Sequence, residues 1–144
     1  MGKISVKGVL IGGIVDVVAS VVLDFPFALY TLSKAEYPRT PKDQIATRMT
    51  AALHGNLPLY VAQLVVGLAC SVLGGYIAAR LAKHDELLNG LLSSFLCVAL
   101  GVYTMASGTD PIALWVQIFL LVASPACALL GGVLMRRQRR AQPA

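Results

Sequence analysis

Two aspartates in the first long apolar stretch are the residues best placed to do chemistry. Asp16 and Asp24 lie in a run that extends from about Ile4 to Leu32. A charged aspartate at the centre of a membrane helix costs roughly 2.5 to 3.5 kcal/mol on insertion scales, so such acids serve a structural or functional purpose. Two roles fit: a proton, cation or substrate site, and a hydrogen-bonding link between helices. We favour the link, because a chain of this length leaves little room for a pathway.

The residues around these acids predict how the membrane accommodates them. No Lys or Arg occurs at the depth of Asp16. We therefore expect its carboxyl group to be protonated or hydrogen-bonded rather than ion-paired. The candidate polar site combines the two acids with hydroxyl and amide side chains of the apolar stretches: Ser20, Gln63, Ser71 and Asn89, with Ser93 and Ser94 as further partners for Asp16.

The other reactive side chains follow no known catalytic or metal-binding pattern. The cysteines, Cys70, Cys97 and Cys127, lie in apolar stretches without C-x-x-C spacing and are interpreted as small core residues. The histidines, His54 and His84, lie in connections at opposite ends of the predicted helices. We therefore predict no metal, no cofactor and no enzymatic activity.

The composition identifies the class of protein. Of the 144 residues, 57% are hydrophobic and 13% are charged, and the mean hydropathy is +0.73. Soluble domains carry about a quarter charged residues, so this chain has too few polar side chains to cover a water-exposed surface. These values exclude a soluble enzyme, a disordered chain and a disulfide-stapled secreted module, and they indicate an integral membrane protein.

Four apolar stretches are long enough to cross a bilayer, which needs about 20 residues. We predict an all-α, four-helix transmembrane bundle forming a single domain over 1–144, with helices at about 4–32, 57–82, 86–107 and 111–136. The first stretch is longer than the apolar region of a signal peptide and contains acids, so we interpret it as a retained helix.

The connection between the first two spans contains the one sizeable polar segment. Thr40 and Asp43 have capping-box spacing around Pro41, and apolar residues then recur every four positions at Ile45, Met49 and Leu53. The pattern predicts a short amphipathic helix at about 41–54, lying on the membrane surface. We interpret it as a packing lid over the bundle, with a gate or partner-docking element as the alternative.

Basic residues predict the orientation. Eight Lys or Arg fall on the side of the termini and the middle turn, against four on the other side, which favours cytoplasmic termini. The pI of 9.4 could suggest nucleic-acid binding. However, the main basic cluster directly follows a span, so we predict a lipid anchor and no nucleic-acid partner. This cluster consists of Arg136, Arg137, Arg139 and Arg140.

Small residues predict how the first two spans pack. Both carry small or polar residues at four-residue spacing, and matching their depth pairs them in an antiparallel ladder. The expected pairs are Gly8 with Ala79, Gly12 with Gly75, Asp16 with Ser71, Ser20 with Gly67, and Asp24 with Gln63. Close backbone approach along this ladder should make Gly75 more sensitive to substitution than Ser71.

The second and fourth spans share a sequence signature. Residues 69–80 align without gaps on 126–137, so that Gly74 and Gly75 coincide with Gly131 and Gly132. Both spans run in the same direction and end in basic residues. The match suggests two helical hairpins related by a pseudo-twofold axis along the membrane normal.

Part of the chain resembles a family. The segment Gly74-Gly75-Tyr76-Ile77-Ala78-Ala79-Arg80, the segment Leu87–Leu92 and the opening Gly12–Asp16 are similar to small bacterial four-helix integral membrane proteins of unknown function. The resemblance covers about half the chain and rests on packing motifs. It implies a bacterial inner membrane and carries no catalytic residues.

The sequence leaves the function open between two main classes. We favour a structural, accessory or regulatory subunit that acts through helix packing, in a homo-oligomer or with other membrane-protein subunits. The alternative is a small transporter or channel protomer that uses Asp16 as a proton, cation or substrate site. In both cases the bilayer itself is the first partner.

Overall fold

A computed structural model describes residues 4–34, 44–82, 84–107 and 114–141. These residues form six helices: α1 (Val6–Lys34), α2 (Ile45–His54), α3 (Leu57–Ala82), α4 (Glu86–Ser93), α5 (Phe95–Ser107) and α6 (Leu114–Ala141). Four segments are long and apolar enough to cross a membrane, namely α1, α3, α4 with α5, and α6. The predicted all-α bundle with four spans is therefore confirmed. The predicted capping box at Thr40 and Asp43 lies outside the described residues.

Charged and aromatic residues mark the two ends of the bundle. The basic end is where α1 and α4 begin and where α3 and α6 end, and α6 continues helically through the arginine cluster to Ala141. The α2 end is the opposite one, where Tyr103 and Trp115 are 70% and 74% exposed. Aromatic side chains at this level are typical of the membrane–water interface.

The third span is divided, although its sequence predicts a continuous helix. α4 ends at Ser93 and α5 begins at Phe95. The Ser93 hydroxyl donates to the Gly90 carbonyl at 2.7 Å, and the Ser94 hydroxyl donates to the Leu91 carbonyl at 2.8 Å. Hydroxyls that bond back to the preceding turn compete with the backbone ladder and bend helices. At this point the Ser94 N–H bonds to the Leu91 carbonyl at 3.3 Å, so the regular helical hydrogen bonding is interrupted near the middle of the span.

The helices surround α3 unevenly. α3 packs along α1 on one side and α6 on the other, and it also packs against α4. It has no comparable contact with α5, which instead touches α1 and α6. The contact of the third span with α3 is therefore made mainly by its first half, α4, near the basic end.

Glycines set the close approach of α3 to its two main neighbours. A Cβ on Gly12 would lie 2.6 Å from the Gly74 carbonyl oxygen, so α1 and α3 meet there backbone to backbone. A Cβ on Gly75 would overlap the Ala128 carbonyl of α6. Neighbouring glycines of α3 therefore serve different interfaces, because successive residues point about 100° apart around a helix.

This arrangement corrects part of the predicted ladder between the first two spans. Gly12 packs against Gly74 rather than Gly75. Gly8 lies against the backbone of Ala78 instead of Ala79, with a built Cβ 2.9 Å from the Ala78 oxygen. The depth of the pairs was predicted correctly, but the rotation of α3 was wrong by about one residue.

Gly131 and Gly132 of α6 also have two different neighbours. A Cβ on Gly131 would overlap the Val72 carbonyl of α3, and one on Gly132 would lie 2.8 Å from the Glu86 carbonyl of α4. α6 is thus held between α3 and α4 by adjacent small residues, as α3 is held between α1 and α6.

Candidate functional site

Asp16 is the polar centre of the bundle. It is 1% exposed and lies where α1, α3 and α5 meet. The Ser71 hydroxyl donates to its Oδ1 at 3.3 Å, and the Cys97 thiol donates to its Oδ2 at 3.1 Å. Each carboxyl oxygen therefore accepts a hydrogen bond from a different span, and the predicted contact with Ser71 is confirmed.

These three residues meet because they lie at the same depth. Each is ten or eleven residues from the basic end of its helix or span. Cys97, which the sequence predicts to be a small core residue, is also a hydrogen-bond donor to Asp16, a contact that the sequence did not indicate. Counting the helical rise from the common end would have found it, since the first and third spans run in the same direction.

Ser124 extends this hydrogen-bond network to α6. Its hydroxyl lies 3.2 Å from the Ser71 hydroxyl. When Ser71 donates its proton to Asp16, Ser124 must act as the donor to Ser71. The chain of bonds Ser124–Ser71–Asp16 then connects α6, α3 and α1 through side chains alone. No pattern in the sequence had indicated a role for Ser124.

A cavity of about 280 Å³ lies beside this network, in the half of the bundle near α2. It is bounded by α1, α3 and α6. Ser71 is the one fully buried side chain in its wall, and the others are half-buried, so the cavity communicates with the surroundings of the bundle. Its lining consists of Ser20, Asp24, Tyr60, Gln63, Leu64, Gly67, Leu68, Ser71, Leu120 and Ser124.

Asp24 lines the cavity and is bonded differently from Asp16. Gln63 lines the same cavity, so the structure brings together these two residues that the sequence placed at one depth. Its Oδ1 is nevertheless buried and has no hydrogen-bond partner among the described residues. Leaving a buried acceptor without a donor costs about 1 to 3 kcal/mol, and more when the acceptor is charged. Asp24 is therefore the acid with unused capacity to bind.

Four of the predicted polar residues share the cavity wall. Ser20, Asp24, Gln63 and Ser71 all line it. Gly67, predicted to pack against Ser20, also lies in the wall, but no atom comes within 4 Å of a Cβ built on it. The expected close contact at this level is therefore absent, and open space takes its place.

Asn89 belongs to a different part of the molecule. Its amide donates to the carbonyls of His84 and Asp85 at 3.1 and 3.0 Å, and its oxygen accepts the backbone N–H of Ser5 at 2.7 Å. It therefore joins the start of α1 to the turn before α4. The structure does not bring it together with Asp16, because it lies two helical turns closer to the basic end than Cys97 does.

The basic cluster is partly engaged within the protein. Arg139 forms an ion pair with Glu86 at 2.7 Å and donates to the Arg80 carbonyl at 2.9 Å. Arg136, Arg137 and Arg140 are exposed. The proposed role of the cluster as a lipid anchor therefore has three side chains directed outward to support it.

Comparison with family models, with curated proteins and with solved structures gives no match. The class of the protein therefore follows from its own residues. This is an integral membrane protein with four spans. In the described ranges, no three His, Cys, Asp or Glu side chains come together as a metal ion would require.

Proposed function

We propose that this protein is a small transporter or channel protomer whose solute occupies the cavity between α1, α3 and α6. The observation that carries the proposal is the cavity itself, which brings an incompletely bonded intramembrane acid, Asp24, to the edge of a buried hydrogen-bond network. Intramembrane acids that face a cavity are typical of ion and substrate pathways.

The second acid is coupled to this cavity. Ser71 forms part of the cavity wall and also donates to Asp16. A proton or cation at the cavity floor is therefore one hydroxyl away from the Asp16 carboxyl group. This connection supports the role of Asp16 as a proton or cation site that its position in the sequence suggested.

Passage of a solute from the cavity toward the basic end requires the helices to move. Toward the basic end, backbone contacts between Gly12 and Gly74 and between Gly75 and Ala128 leave no space between α3 and its neighbours. Passage in that direction would require α1 or α6 to shift relative to α3. We place the termini and the basic end at the cytoplasmic face of a bacterial inner membrane, since basic residues are enriched there.

A structural or accessory role is the second candidate. It is supported by the bonding of Asp16, whose two oxygens accept hydrogen bonds from separate spans. Such bonding holds three helices as one unit, which suits a subunit that acts through helix packing in a homo-oligomer or with other membrane-protein subunits.

A flux measurement separates the two candidates. Purified protein in liposomes would be exposed to imposed gradients of H⁺, Na⁺ and K⁺, with Asp16→Asn and Asp24→Asn as test variants. Glu86→Gln is the matched control, because Glu86 is an acid at the first position of α4, far from the cavity. We expect flux in the wild type and the control and a loss of flux in either aspartate variant. Folded wild-type protein without flux under every gradient would favour the structural role.

A further inference from the structure

The two acids of α1 differ in what their surroundings supply. Asp16 accepts a hydrogen bond on each oxygen, whereas Asp24 has a buried Oδ1 without a donor among the described residues. The desolvation of that oxygen is uncompensated in the protein alone. A bound molecule with an N–H or O–H group directed at Asp24 would supply the missing bond.

The charge of such a molecule follows from the spans that bound the cavity. Between Gly8 and Ser33, between Leu57 and Ala79, and between Leu114 and Met135, the sequence contains no Lys or Arg. An ionised Asp24 therefore has no cationic side chain at its own depth. A carboxylate in a low-dielectric surrounding is best compensated by a charge of opposite sign within direct reach.

The walls indicate that this charge belongs to an organic molecule. Leu64, Leu68 and Leu120 line the cavity together with a few hydroxyl and amide groups, which is the usual mixture in small-molecule sites. The volume of about 280 Å³ corresponds to roughly nine water molecules in the liquid, at about 30 Å³ each. A bare ion would leave most of this apolar surface without a partner.

We propose that the cavity binds a small organic ammonium cation, with the ammonium group on Asp24 and Gln63 and an apolar body against the three leucines. The inference rests on the proposed function, since it names the class of solute that the cavity would take. It assigns the binding role to Asp24, and it leaves Asp16 as the second, internally bonded acid.

Gly67 provides a way to test the cavity without disturbing the helix contacts. It lies in the cavity wall, and no atom comes within 4 Å of a Cβ built on it. Gly67→Leu should therefore fill the cavity while α3 keeps its packing against α1 and α6. Asp24→Asn instead keeps the shape of the cavity and removes the charge.

The experiment measures binding of 2-phenylethylammonium to the full-length protein by equilibrium dialysis in detergent. The neutral 2-phenylethanol and the anion 3-phenylpropionate serve as matched probes of similar shape. We expect saturable binding of the ammonium compound alone. Asp24→Asn should weaken it at least tenfold, Gly67→Leu should abolish it, and Glu86→Gln should leave it within twofold of the wild type. Circular dichroism and size-exclusion profiles confirm that each variant is folded.

Several results would overturn the inference. Equal binding of the three probes, unchanged affinity in folded Asp24→Asn, or no saturable binding to folded wild type would each reject an ammonium site at Asp24. The flux measurement keeps this failure separate from that of the proposed function. Ion flux that depends on Asp16, without binding of the ammonium probe, would retain transport and reject this class of solute.

Discussion

Ser71 connects the two polar features of the bundle, because its hydroxyl donates to Asp16 at 3.3 Å while its side chain also lines the cavity. Asp16 itself is 1% exposed and does not line the cavity. A single hydroxyl therefore links the cavity wall to the buried carboxyl group.

Removing the Ser71 hydroxyl should destabilise the protein modestly. Ser71→Ala leaves Asp16 Oδ1 without its donor, and interhelical hydrogen bonds in membranes average about 0.6 kcal/mol with a maximum near 1.7. We expect a loss of about 0.5 to 1.5 kcal/mol in the free energy of unfolding, measured in mixed micelles. Ser94→Ala is the control, since the Ser94 hydroxyl bonds only within its own turn, and it should change stability by less than about 0.5 kcal/mol. Equal effects would show that the Ser71–Asp16 bond contributes nothing.

Two glycines of α3 should respond in opposite ways to the same substitution. A methyl group at Gly75 would overlap the Ala128 carbonyl, whereas one at Gly67 meets open space. Gly75→Ala should therefore cost at least about 2 kcal/mol, because α6 must move away from α3. Gly67→Ala should be neutral or stabilising by up to about 1 kcal/mol, because alanine favours the helix.

The same reasoning orders the larger substitutions. Gly75→Leu should reduce the yield of folded protein more than Ser71→Ala does, since close packing contributes more than one hydrogen bond. Unfolding measurements on the variants provide the check. A Gly75→Leu variant as stable as Ser71→Ala would show that α3 and α6 do not pack as described.

The ion pair at the basic end should make a small contribution. The distance from Arg139 Nη1 to Glu86 Oε1 is 2.7 Å, and the two side chains are 29% and 18% exposed, respectively. Partly exposed pairs contribute about 0 to 1 kcal/mol. A double-mutant cycle with Arg139→Gln and Glu86→Gln should give a coupling in that range, and salt should weaken it. The pair Arg137→Gln and Glu86→Gln is the control and should show no coupling.

Labelling of introduced cysteines should report the orientation. In a background without the native cysteines, a cysteine at Lys42 should react with an impermeant thiol reagent in intact cells, and one at Lys83 should not. The reason is the excess of basic residues on the side of the termini and the middle turn. The reverse pattern would invert the proposed orientation and leave the packing unchanged.

The sequence by itself determined the class of protein, the four spans and the depth of each polar residue. Hydropathy is a sum over about 20 neighbouring residues, so it can be read without knowing the fold. Depth follows from counting the helical rise along each span, which is why Asp16 was paired correctly with Ser71 and why Asp24 and Gln63 line the same cavity.

Only the tertiary structure decided which face of each helix meets which neighbour. A rotation by one residue turns a side chain by about 100° while changing its depth by only about 1.5 Å, so spacing along the chain does not fix it. This is why Gly75 faces Ala128 instead of Gly12 and why Cys97 reaches Asp16 unexpectedly. The cavity has the same origin: its wall combines residues of α1, α3 and α6, a relation between distant segments that no local pattern encodes.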